Sequence, residues 1–395
     1  MNSVFDVGVI GTGAMGSATA FQLAKRGKRV LAFDRFSPPH TMGSSHGATR
    51  VTRQAIGEGE HYVPLVLRSY ELWPEIERAA GRQLLSITGG LIMASEQSLG
   101  SLHGANKFLD ETIRTAEKFG IDHELLDTAQ IRSRFPQFNL VGNERGYYEP
   151  AMGFLRPEVC VESQLSLAEN LGATVRRNEC VLDLAFKSDS VTIRSSEGDY
   201  HVGQLVVSAG PWVASLLPEL SPWIKVERQI LCWFEARDSA ELYAPGRFPV
   251  FIWEFGQHPN NFMYGFPALD GDGVKVASEQ REIETTPETV DRTVGELETA
   301  DMYQKFVRDR LPGLSSRCLR SVVCMYTTLR DYGFFIDFHP QHSNVVVVSP
   351  CSGHGFKHSA AIGEAVAELV VHGRSRLDLS AFRISRFQQG SAPPS

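Results

Sequence analysis

The sequence predicts an α/β (α+β) protein of two packed units, one built on a parallel βαβ fold and the other on a mostly antiparallel sheet. Three observations lead to this prediction. The chain has 395 residues, whereas single hydrophobic cores stop growing at roughly 250–300 residues. The first forty residues read as strand, glycine-rich turn, helix and strand. Residues 224–270 are β-rich and carry alternating aromatic side chains, which suggests a sheet with one face toward an apolar cavity, although ordinary core packing explains most of these aromatics.

Composition and charge exclude two classes of partner. The chain carries 39 Lys and Arg against 46 Asp and Glu, a net charge of −7, whereas nucleic-acid binding by bulk electrostatics needs clustered positive charge. No apolar run approaches the roughly 20 residues that span a bilayer, and the run at 7–10 lacks the basic flank of a signal peptide. The last residues show no lipidation or peroxisomal signal. We therefore expect a cytoplasmic protein, with neither nucleic acid nor membrane as partner.

Cysteine usage supports the same compartment. The cysteines are scattered, with no C-x-x-C pair and no zinc-finger spacing to histidines, so we expect reduced thiols and no metal site. They are Cys160, Cys180, Cys232, Cys318, Cys324 and Cys351. Buried cysteines usually behave as inert small hydrophobes, and composition alone distinguishes none of the six.

The N-terminal elements are a strand at 4–10, a G-x-G-x-x-G turn at 11–16, a helix over Ala14–Lys25 and a second strand at 29–33. Gly27 follows the helix as its predicted C-terminal cap. This is the full βαβ context of a Rossmann-like dinucleotide site rather than an isolated glycine match. A tight strand–helix turn without a ligand is the weaker alternative, because all the elements are in register.

Each conspicuous residue of this unit has a physical reason. Gly11 permits the tight turn, Gly13 lets the backbone approach a pyrophosphate, and Gly16 lets the helix pack on the strand. The helix N-terminus directs N–H groups and its positive dipole end at phosphate. Asp34, at the end of the second strand, is placed to accept hydrogen bonds from a ribose hydroxyl. The motif alone does not distinguish NAD from FAD.

The segment after the second strand favours FAD. A nicotinamide-type unit usually enters another helix soon after this point, whereas residues 35–53 are polar, rich in Gly and Ser, and end with Arg50 and Arg53. Hydroxyl and backbone N–H groups suit a second clamp on a pyrophosphate. The alternative for the two arginines is a solvated surface position, and the sequence does not fix the faces on which they lie.

Apolar periodicity predicts further elements along the chain. Helices are predicted at 62–73 (broken or kinked at Pro74), 104–119, 127–135 (with Asp127 as N-cap and Pro136 as stop), 157–171 and 359–371. Strands are predicted at 84–94, 174–181, 183–194, 199–208 and 344–348, with a hairpin turn at 195–198.

Four stretches carry a resemblance to a known family. They are Pro38-Pro39-His40, the G-S-S-H-G-A-T-R run at 43–50, the G-E-G-E-H-Y-V-P-L run at 57–65 and the F-R-I-S-R-F run at 382–387. On these residues the chain resembles the monomeric sarcosine oxidase and N-methyltryptophan oxidase family of amino-acid-oxidase flavoproteins. The resemblance covers nearly the whole chain. It implies an FAD-binding domain of 1–83, 151–216 and 322–387, a substrate domain of 84–150 and 217–321, and a tail at 388–395.

Motifs and resemblance together predict the residues that contact FAD. Val181 matches a position whose backbone meets the adenine, with ordinary strand packing as its alternative. The turn at 209–212 returns the chain to the flavin-binding core, and the helix after 353–357 directs its N-terminus at the reduced flavin. The predicted set is Gly11, Gly13, Ala14, Met15, Gly16, Asp34, Arg35, Ser44, Ser45, Arg50, Val181, Ala209, Gly210, Trp212, Cys324, Gly353, Gly355, Phe356 and Lys357.

Cys324 is distinguished only by the resemblance. It opens the run C-M-Y-T at 324–327, and the family carries a cysteine followed by Met/Thr-Tyr-Thr at this point. The resemblance implies a thioether from Cys324 to the 8-methyl carbon of FAD, which is an 8-alpha-S-cysteinyl link. Positive charge nearby should assist, because the thiolate is the nucleophile.

Lys275 lies in an apolar, glycine-flanked strand, where a lysine ordinarily faces solvent. The resemblance, which includes Tyr264 eleven residues earlier, implies instead that Lys275 lies beside the flavin and activates O2, because a fixed cation stabilises superoxide. Family members often carry a histidine four residues after this lysine, where this chain has Glu279. The Glu279 carboxylate could meet a cationic group of the substrate or simply point to solvent.

Arg53 and Lys357 match the pair that holds the substrate carboxylate, and His354 matches a histidine near the flavin. A lysine at a helix N-terminus is disfavoured unless an anion is nearby, which weakens a plain surface role for Lys357. The predicted catalytic residues are Lys275, Arg50, Arg53, Lys357, His354 and Tyr264. The predicted substrate-binding residues are Arg53, Lys357, Tyr264 and Glu279. No catalytic base is evident.

The implied activity is oxidation of a secondary amino acid by a monomeric, FAD-dependent oxidase. An N-methyl substrate such as sarcosine or N-methyltryptophan would give an imine, whose hydrolysis releases the amino acid and formaldehyde, while O2 becomes hydrogen peroxide. Three alternatives stay open: an oxidase of a cyclic amino acid of the pipecolate or proline type, an FAD dehydrogenase with another electron acceptor, and a non-catalytic dinucleotide-binding protein. Lys275 argues against the dehydrogenase, and Cys324, Lys275 and Lys357 together argue against the non-catalytic protein.

Overall fold

The computed structural model describes residues 5–387 except positions 97, 99, 100, 238, 259, 281 and 282. The α/β fold class is confirmed, while the predicted tail at 388–395 lies outside the described residues. The helices are α1 Ala14–Lys25, α2 Val63–Ala80, α3 Phe108–Phe119, α4 Thr128–Arg134, α5 Pro157–Asn170, α6 Val213–Leu216, α7 Glu296–Met302 and α8 Ser359–His372. None of the helices in these described ranges is long and apolar enough to cross a bilayer.

The strands complete the element order. They are β1 Phe5–Ile10, β2 Val30–Phe33, β3 Arg50–Thr52, β4 Leu85–Ile87, β5 Gly90–Ser95, β6 Ser101–Leu102, β7 Ala105–Asn106, β8 Glu124–Leu126, β9 Glu144–Glu149, β10 Gly153–Leu155, β11 Thr174–Arg176, β12 Val181–Phe186, β13 Val191–Ser195, β14 Asp199–Val207, β15 Ile224–Ala236, β16 Val250–Glu254, β17 Phe262–Phe266, β18 Val274–Ala277, β19 Glu284–Thr285, β20 Leu314–Leu329, β21 Phe335–His339 and β22 His342–Ser349.

The first sheet is the predicted Rossmann-like sheet. Its strand order is β11-β2-β1-β14-β13-β12, with β22 beside β14 and β21 beside β22. The strands β11, β2, β1, β14 and β22 run parallel. The parallel parts of these strands are rich in Val, Leu and Ile and are largely buried, as expected of a parallel sheet that is covered on both faces. α1 lies so close to α8 that a Cβ added to Gly363 would stand 2.5 Å from the Cβ of Ala18.

The second sheet is larger and mostly antiparallel. Its order is β19-β15-β18-β17-β16-β5-β9-β8, with β20 paired along β15, and only the pair of β16 and β5 is parallel among these described strands. The predicted domain boundary at 321–322 falls inside β20. A three-stranded sheet, β3-β10-β4, pairs Arg50 with Leu155.

Several predicted boundaries are wrong for local reasons. α2 continues through Pro74 to Ala80. Proline costs that helix one hydrogen bond, and burial of Trp73 and Ile76 on either side holds the turn against the core. The predicted helix at 104–119 begins only at Phe108, because β6 and β7 form a hairpin first. The predicted strand at 174–181 ends at Arg176, and the predicted strand at 183–194 divides into β12 and β13. Asp127 caps α4 as predicted, accepting from the N–H of Gln130.

Candidate functional site

A cavity of about 330 Å³ lies where the parallel strands end. Ile10, Phe33, Ser208 and Val348, at or next to the carboxyl ends of four of those strands, line it, which is where open α/β sheets bind ligands. Sixteen of the nineteen residues predicted to contact FAD line this cavity: Gly11, Gly13, Ala14, Met15, Asp34, Arg35, Ser44, Ser45, Arg50, Val181, Ala209, Gly210, Trp212, Gly353, Gly355 and Phe356. Gly16, Cys324 and Lys357 do not.

The glycine motif has the geometry of a phosphate cradle. Gly11 has a φ of +83°, and a Cβ there would stand 2.6 Å from the carbonyl oxygen of Ser208. A Cβ on Gly16 would stand 1.8 Å from the carbonyl oxygen of Gly11, so only glycine lets α1 begin this close to β1. Ser45 Oγ accepts from the Ala14 N–H at 3.0 Å. The predicted loop after β2 therefore folds back onto the N-terminus of α1.

Asp34 lies on the wall of the large cavity with its carboxylate already engaged. Oδ2 accepts from the N–H and hydroxyl of Thr12 at 2.9 and 3.0 Å, and Oδ1 lies 3.0 Å from the Phe36 nitrogen and 3.2 Å from His40 Nε2. Burial alone would raise the pKa of Asp34, but the bond with His40 and the backbone N–H groups outweigh it, so the pKa is lowered. The side chain is held ionised as a hydrogen-bond acceptor.

A second, smaller cavity of about 60 Å³ adjoins the first. Arg50, Tyr326, Gly353 and Phe356 line both cavities. The other predicted site residues on the wall of the small cavity are Arg53, Tyr264, Cys324, His354 and Lys357. The structure therefore brings these residues together from four separated segments of the chain, at 50–53, 264, 324–326 and 353–357.

Cys324 is buried at the junction of the two cavities and contacts a cation. It lies on β20 opposite Gln229 and is 1% exposed. Arg50 donates from Nη2 to the Cys324 sulfur at 3.4 Å, and the same guanidinium donates to the carbonyl oxygens of Ser44 and Thr49 at 2.9 Å each. The positive charge expected beside this cysteine is present, because backbone carbonyls anchor the arginine.

Arg53 and Lys357 converge on the buried carboxylate of Glu58. Arg53 Nη2 donates to Glu58 Oε2 at 2.5 Å, and Lys357 Nζ lies 3.8 Å from Oε1. Lys357 also donates to the carbonyl oxygen of His354 at 2.7 Å. Burial lowers the pKa of Lys357 to about 7, although Glu58 opposes that shift. For Glu58, burial is outweighed by Arg53 and then Lys357, and its pKa lies well below the ordinary value.

Glu279 does not point to solvent, so that expected alternative is wrong. Its side chain is 3% exposed, and Oε1 lies 2.5 Å from Nε2 of His103. His103 Nδ1 lies 3.1 Å from Glu58 Oε1. Burial disfavours the imidazolium, but Glu279 and Glu58 outweigh this, and the pKa of His103 is raised. Glu279, which stands where family members often carry a histidine, is thus paired with His103.

Lys275 is buried behind the wall of the site rather than on it. Nζ donates to the carbonyl oxygens of Gly47 and Thr49 at 2.8 Å each and to the Thr49 hydroxyl at 3.1 Å. It lies 4.5 Å from the ring centre of Phe266, and it lines neither cavity. Burial, with Arg50 next, holds its pKa well below the usual range. A solvent-facing lysine, the ordinary alternative, is wrong.

His354 stands between the small cavity and α8. Its Nε2 lies 3.1 Å from the carbonyl oxygen of Tyr332, and Nδ1 lies 3.9 Å from Glu58. Burial holds the pKa of His354 well below its usual value, so the imidazole is neutral. A 3-10 turn at Phe356–His358 leads directly into α8.

Sequence reasoning missed three charged residues of the site. Glu58 and His103 belong to the ion cluster, and Glu158 accepts from the N–H groups of Gly47 and Ala48 at 2.6 and 3.1 Å. Glu58 lay inside the quoted G-E-G run, where two flanking glycines were an available signal. His103 and Glu158 belong to no motif. Among the described residues no group of three or more His, Cys, Asp or Glu is arranged to hold a metal ion.

Comparison with known proteins agrees with this geometry. Residues 6–369 match the family described as FAD dependent oxidoreductase. The chain is 39% identical over 385 residues to a monomeric sarcosine oxidase of Streptomyces avermitilis, covering 97% of each protein. It is 34% identical over 388 residues to an N-methyl-L-tryptophan oxidase of Salmonella heidelberg, covering 98% of this chain and 100% of the relative.

A solved structure shows the same fold. NikD, described as an unusual amino acid oxidase essential for nikkomycin biosynthesis, superposes with a TM-score of 0.82 at 24% identity, over 96% of this chain and 97% of that chain. At this identity the likeness concerns the fold alone. The resemblance carried by the sequence motifs is confirmed, and the chain belongs to the FAD dependent oxidoreductase family, among the relatives of monomeric sarcosine oxidase and N-methyl-L-tryptophan oxidase.

Proposed function

We propose that the protein is an FAD-dependent oxidase of secondary amino acids that removes an N-methyl group, giving the amino acid, formaldehyde and hydrogen peroxide. One observation carries the proposal. Two buried cations, Arg53 and Lys357, face a small cavity that adjoins the larger cavity at the carboxyl ends of the parallel strands. Relatives at 34–39% identity are named as oxidases of sarcosine and N-methyl-L-tryptophan.

The residues of the large cavity fit FAD. The Gly11 turn leaves no room for a side chain, and the loop through Ser44 and Ser45 offers hydroxyl groups opposite it. Asp34 would hold the ribose and Val181 would lie at the adenine end. FAD bound there supplies the electron acceptor for oxidation of the carbon–nitrogen bond and the electron donor for O2.

A covalent link from Cys324 to FAD is supported by the position of this cysteine on the small cavity beside Arg50. Cys324 lines the small cavity together with Tyr264 and Tyr326, and its sulfur accepts a hydrogen bond from Arg50. A thiol reacts as the thiolate, and a neighbouring guanidinium favours the charged form. Arg50 is fixed by the carbonyls of Ser44 and Thr49, so it can stabilise the sulfur without rearrangement.

The substrate carboxylate binds between Arg53 and Lys357. Lys357 uses one donor on His354 and lies beyond hydrogen-bond distance from Glu58, which leaves ammonium donors for a ligand. Two fixed cations orient a carboxylate better than one. The small volume of the cavity favours a compact side chain over indole, although Leu102 and Ile252 on its wall are apolar. Tyr264 and Tyr326, whose hydroxyl oxygens lie 3.2 Å apart, also line this cavity.

Lys275 acts on O2 through its charge. Burial, with Arg50 next, lowers the pKa of Lys275, but three oxygen acceptors surround its Nζ, and hydrogen bonds of this kind favour the ammonium form. Since Gly47 and Thr49 precede Arg50, the same segment places Arg50 on the wall of the site and Lys275 behind it. A fixed positive charge in a dry environment stabilises the negative charge that develops on oxygen.

We expect a monomer with the two discontinuous domains predicted from the sequence. A cytoplasmic location is supported by the cysteines, all six of which are free thiols in the structure.

A substrate panel tests the proposed function. Purified protein is supplied with O2 and with sarcosine, N-methylalanine, N-methyltryptophan, pipecolate, proline or glycine, and peroxide and formaldehyde are measured separately. We expect peroxide and formaldehyde in equal amounts with the small N-methyl substrates. Peroxide without formaldehyde from pipecolate would favour the cyclic substrate. Flavin that substrate reduces but O2 does not reoxidise would indicate a dehydrogenase.

A further inference from the structure

His103 reaches the small cavity from an unusual turn. It follows β6, and Gly104 precedes β7, so the hairpin has a two-residue connection. Their φ angles are +49° and +77°, which is the geometry of the tight primed turns that match strand twist. The turn directs the imidazole inward, where its side chain is 10% exposed and lines the small cavity.

Two buried carboxylates hold the imidazole from opposite sides. Nδ1 lies 3.1 Å from Glu58 and Nε2 lies 2.5 Å from Glu279, and these side chains are 2% and 3% exposed. The ring also lies 4.9 Å from that of His354. A Cβ on Gly353 would stand 2.6 Å from His103 Nε2, so the imidazole closes the side of the cavity next to that glycine.

Apart from Lys357, the charges of this cluster balance without a ligand. Arg53 pairs with Glu58, and the His103 imidazolium pairs with Glu279. Lys357 is then the cation left to meet a substrate carboxylate. The other titratable groups that line the cavity are Arg50, Tyr264, Cys324, Tyr326 and His354. Once a carboxylate is bound, a neighbouring substrate amine faces no surplus negative charge.

This balance matters for amine oxidation. Removing hydride from the carbon beside nitrogen requires the nitrogen lone pair, which an ammonium group lacks. A secondary amino acid in neutral water carries a protonated amine, so the amine must lose that proton to the bulk buffer when the substrate binds. An uncompensated carboxylate nearby would stabilise the ammonium form and oppose its release.

We propose that His103 is a positioning residue that neutralises Glu279 and contacts the Arg53–Glu58 pair, so that the small cavity holds the substrate amine in its neutral, oxidisable form. The inference rests on the proposed function and deepens it. It assigns to the hairpin at 101–106 a role in deprotonating the substrate without any catalytic base. It also implies substrates with uncharged side chains, because the cluster offers no uncompensated carboxylate to a basic one.

The first test replaces His103 by a neutral side chain of similar reach. His103→Gln removes one positive charge from the cluster. The bound amine should therefore keep its proton to higher pH. The pH profile for anaerobic flavin reduction by sarcosine should move to higher pH by about one unit, which is roughly a tenfold loss of rate at neutral pH. At high pH the rate should return close to that of the wild-type enzyme.

A binding measurement removes the dependence on turnover. Sarcosine is titrated into anaerobic, dithionite-reduced holoenzyme in buffers of different ionisation enthalpy, and calorimetry gives the protons released. After the proton uptake measured with methoxyacetate is subtracted, the wild-type enzyme should release about one proton per site near neutral pH, and His103→Gln should release clearly less. Methoxyacetate, which has a carboxylate and no amine, should release none from a substrate nitrogen and serves as the control ligand.

Glu279→Gln is the matched variant with the opposite expected sign. It keeps the shape of the pair, removes one negative charge, and should move the profile to lower pH. The double variant His103→Gln/Glu279→Gln should return close to the wild-type profile. These two variants test the proposal even if His103→Gln alone does not fold.

The outcomes separate the two levels of inference. A wild-type enzyme that no secondary amino acid reduces would refute the proposed function. A reducible wild-type enzyme whose profile and proton release do not change in His103→Gln would refute only the role of His103. A Glu279→Gln profile that stays in place or moves to higher pH, or a double variant that behaves like His103→Gln, would also overturn that role.

Discussion

At the scale of single residues, surroundings rather than residue type distinguish Cys324 from the other five cysteines. Cys351 is a fair comparison, because it lines the large cavity and its sulfur accepts from the N–H of Thr327 at 3.4 Å. Burial raises the pKa of Cys351, and no guanidinium donates to its sulfur among the described contacts. Cys324 instead faces the small cavity and receives a hydrogen bond from Arg50. Contact with a fixed cation is what suits Cys324 to nucleophilic chemistry.

Cys324→Ser should release the flavin from the chain. A hydroxyl is a far weaker nucleophile than a thiolate, so we expect bound but acid-extractable flavin, measured by fluorescence of the supernatant after acid precipitation. Cys351→Ser is the control and should keep its flavin in the precipitate, as the wild-type protein should. Flavin that stays on the chain in Cys324→Ser would mean that another residue carries the link.

Lys275→Met should slow reoxidation of the flavin by O2 and leave its reduction by substrate nearly unchanged. Loss of a preorganised charge in a dry site typically costs on the order of a hundredfold in rate. Stopped-flow absorbance measures the two half-reactions separately. Lys225→Met, which removes an exposed lysine paired with Glu284 on the same sheet, should change neither rate. Equal slowing of both half-reactions would contradict the assigned role.

The lowered pKa of Lys357 predicts that anion binding depends on pH. Its pKa is lowered to about 7 by burial, so the ammonium form that attracts a carboxylate is complete below pH 7 and is lost as the pH rises. The affinity for methoxyacetate should therefore fall by up to tenfold per pH unit above about 7, until the raised pKa of the complex is reached. Spectral titration of the flavin measures this, and Lys357→Arg should abolish the fall. A wild-type affinity that is constant from pH 6 to 9 would show that Lys357 is not the titrating group.

At the scale of elements, the sequence predicted well where one segment carries its own reason to fold. The helix Ala14–Lys25 was predicted at its observed bounds, because a glycine turn starts it and Gly27, with a φ of +74°, follows its end. The hairpin of β6 and β7 was not predicted, because its turn residues His103 and Gly104 form no familiar signal. Its tip is fixed by Glu58 and Glu279, which lie 45 and 176 residues away along the chain. The ion cluster was missed for the same reason.

Gly16→Ala tests the contact between α1 and β1. A Cβ at this position would stand 1.8 Å from the backbone oxygen of Gly11, so helix and strand must separate. We expect the free energy of unfolding to fall by about 1–3 kcal/mol or more, with reduced flavin content, measured by urea denaturation and by absorbance. Gly295→Ala is the control, because its Cβ would meet nothing nearer than a Glu298 oxygen at 3.7 Å. An unchanged midpoint in Gly16→Ala would show that the close approach is not needed.

At the scale of the whole molecule, the two sheets bring the two cavities together. β20 contributes Cys324 and Tyr326 from the antiparallel sheet, while the glycine turn comes from the parallel sheet. Arg50 belongs to the small sheet β3-β10-β4 and lines both cavities. Binding of one ligand in the large cavity therefore joins surfaces from all three sheets, so cofactor binding and global stability should be coupled.

This coupling predicts that FAD, and not NAD, stabilises the flavin-free protein. In Cys324→Ser stripped of flavin, added FAD should raise the melting temperature with concentration, because a ligand that binds only the native state adds about 2.7 kcal/mol at a hundred times its Kd. The glycine motif alone accommodates either dinucleotide, whereas the loop through Ser44, Ser45 and Arg50 lines the same cavity as that motif and suits the second clamp expected for FAD. NAD at equal concentration is the control and should leave the melting temperature nearly unchanged. Equal stabilisation by the two ligands would mean that the loop does not select the cofactor.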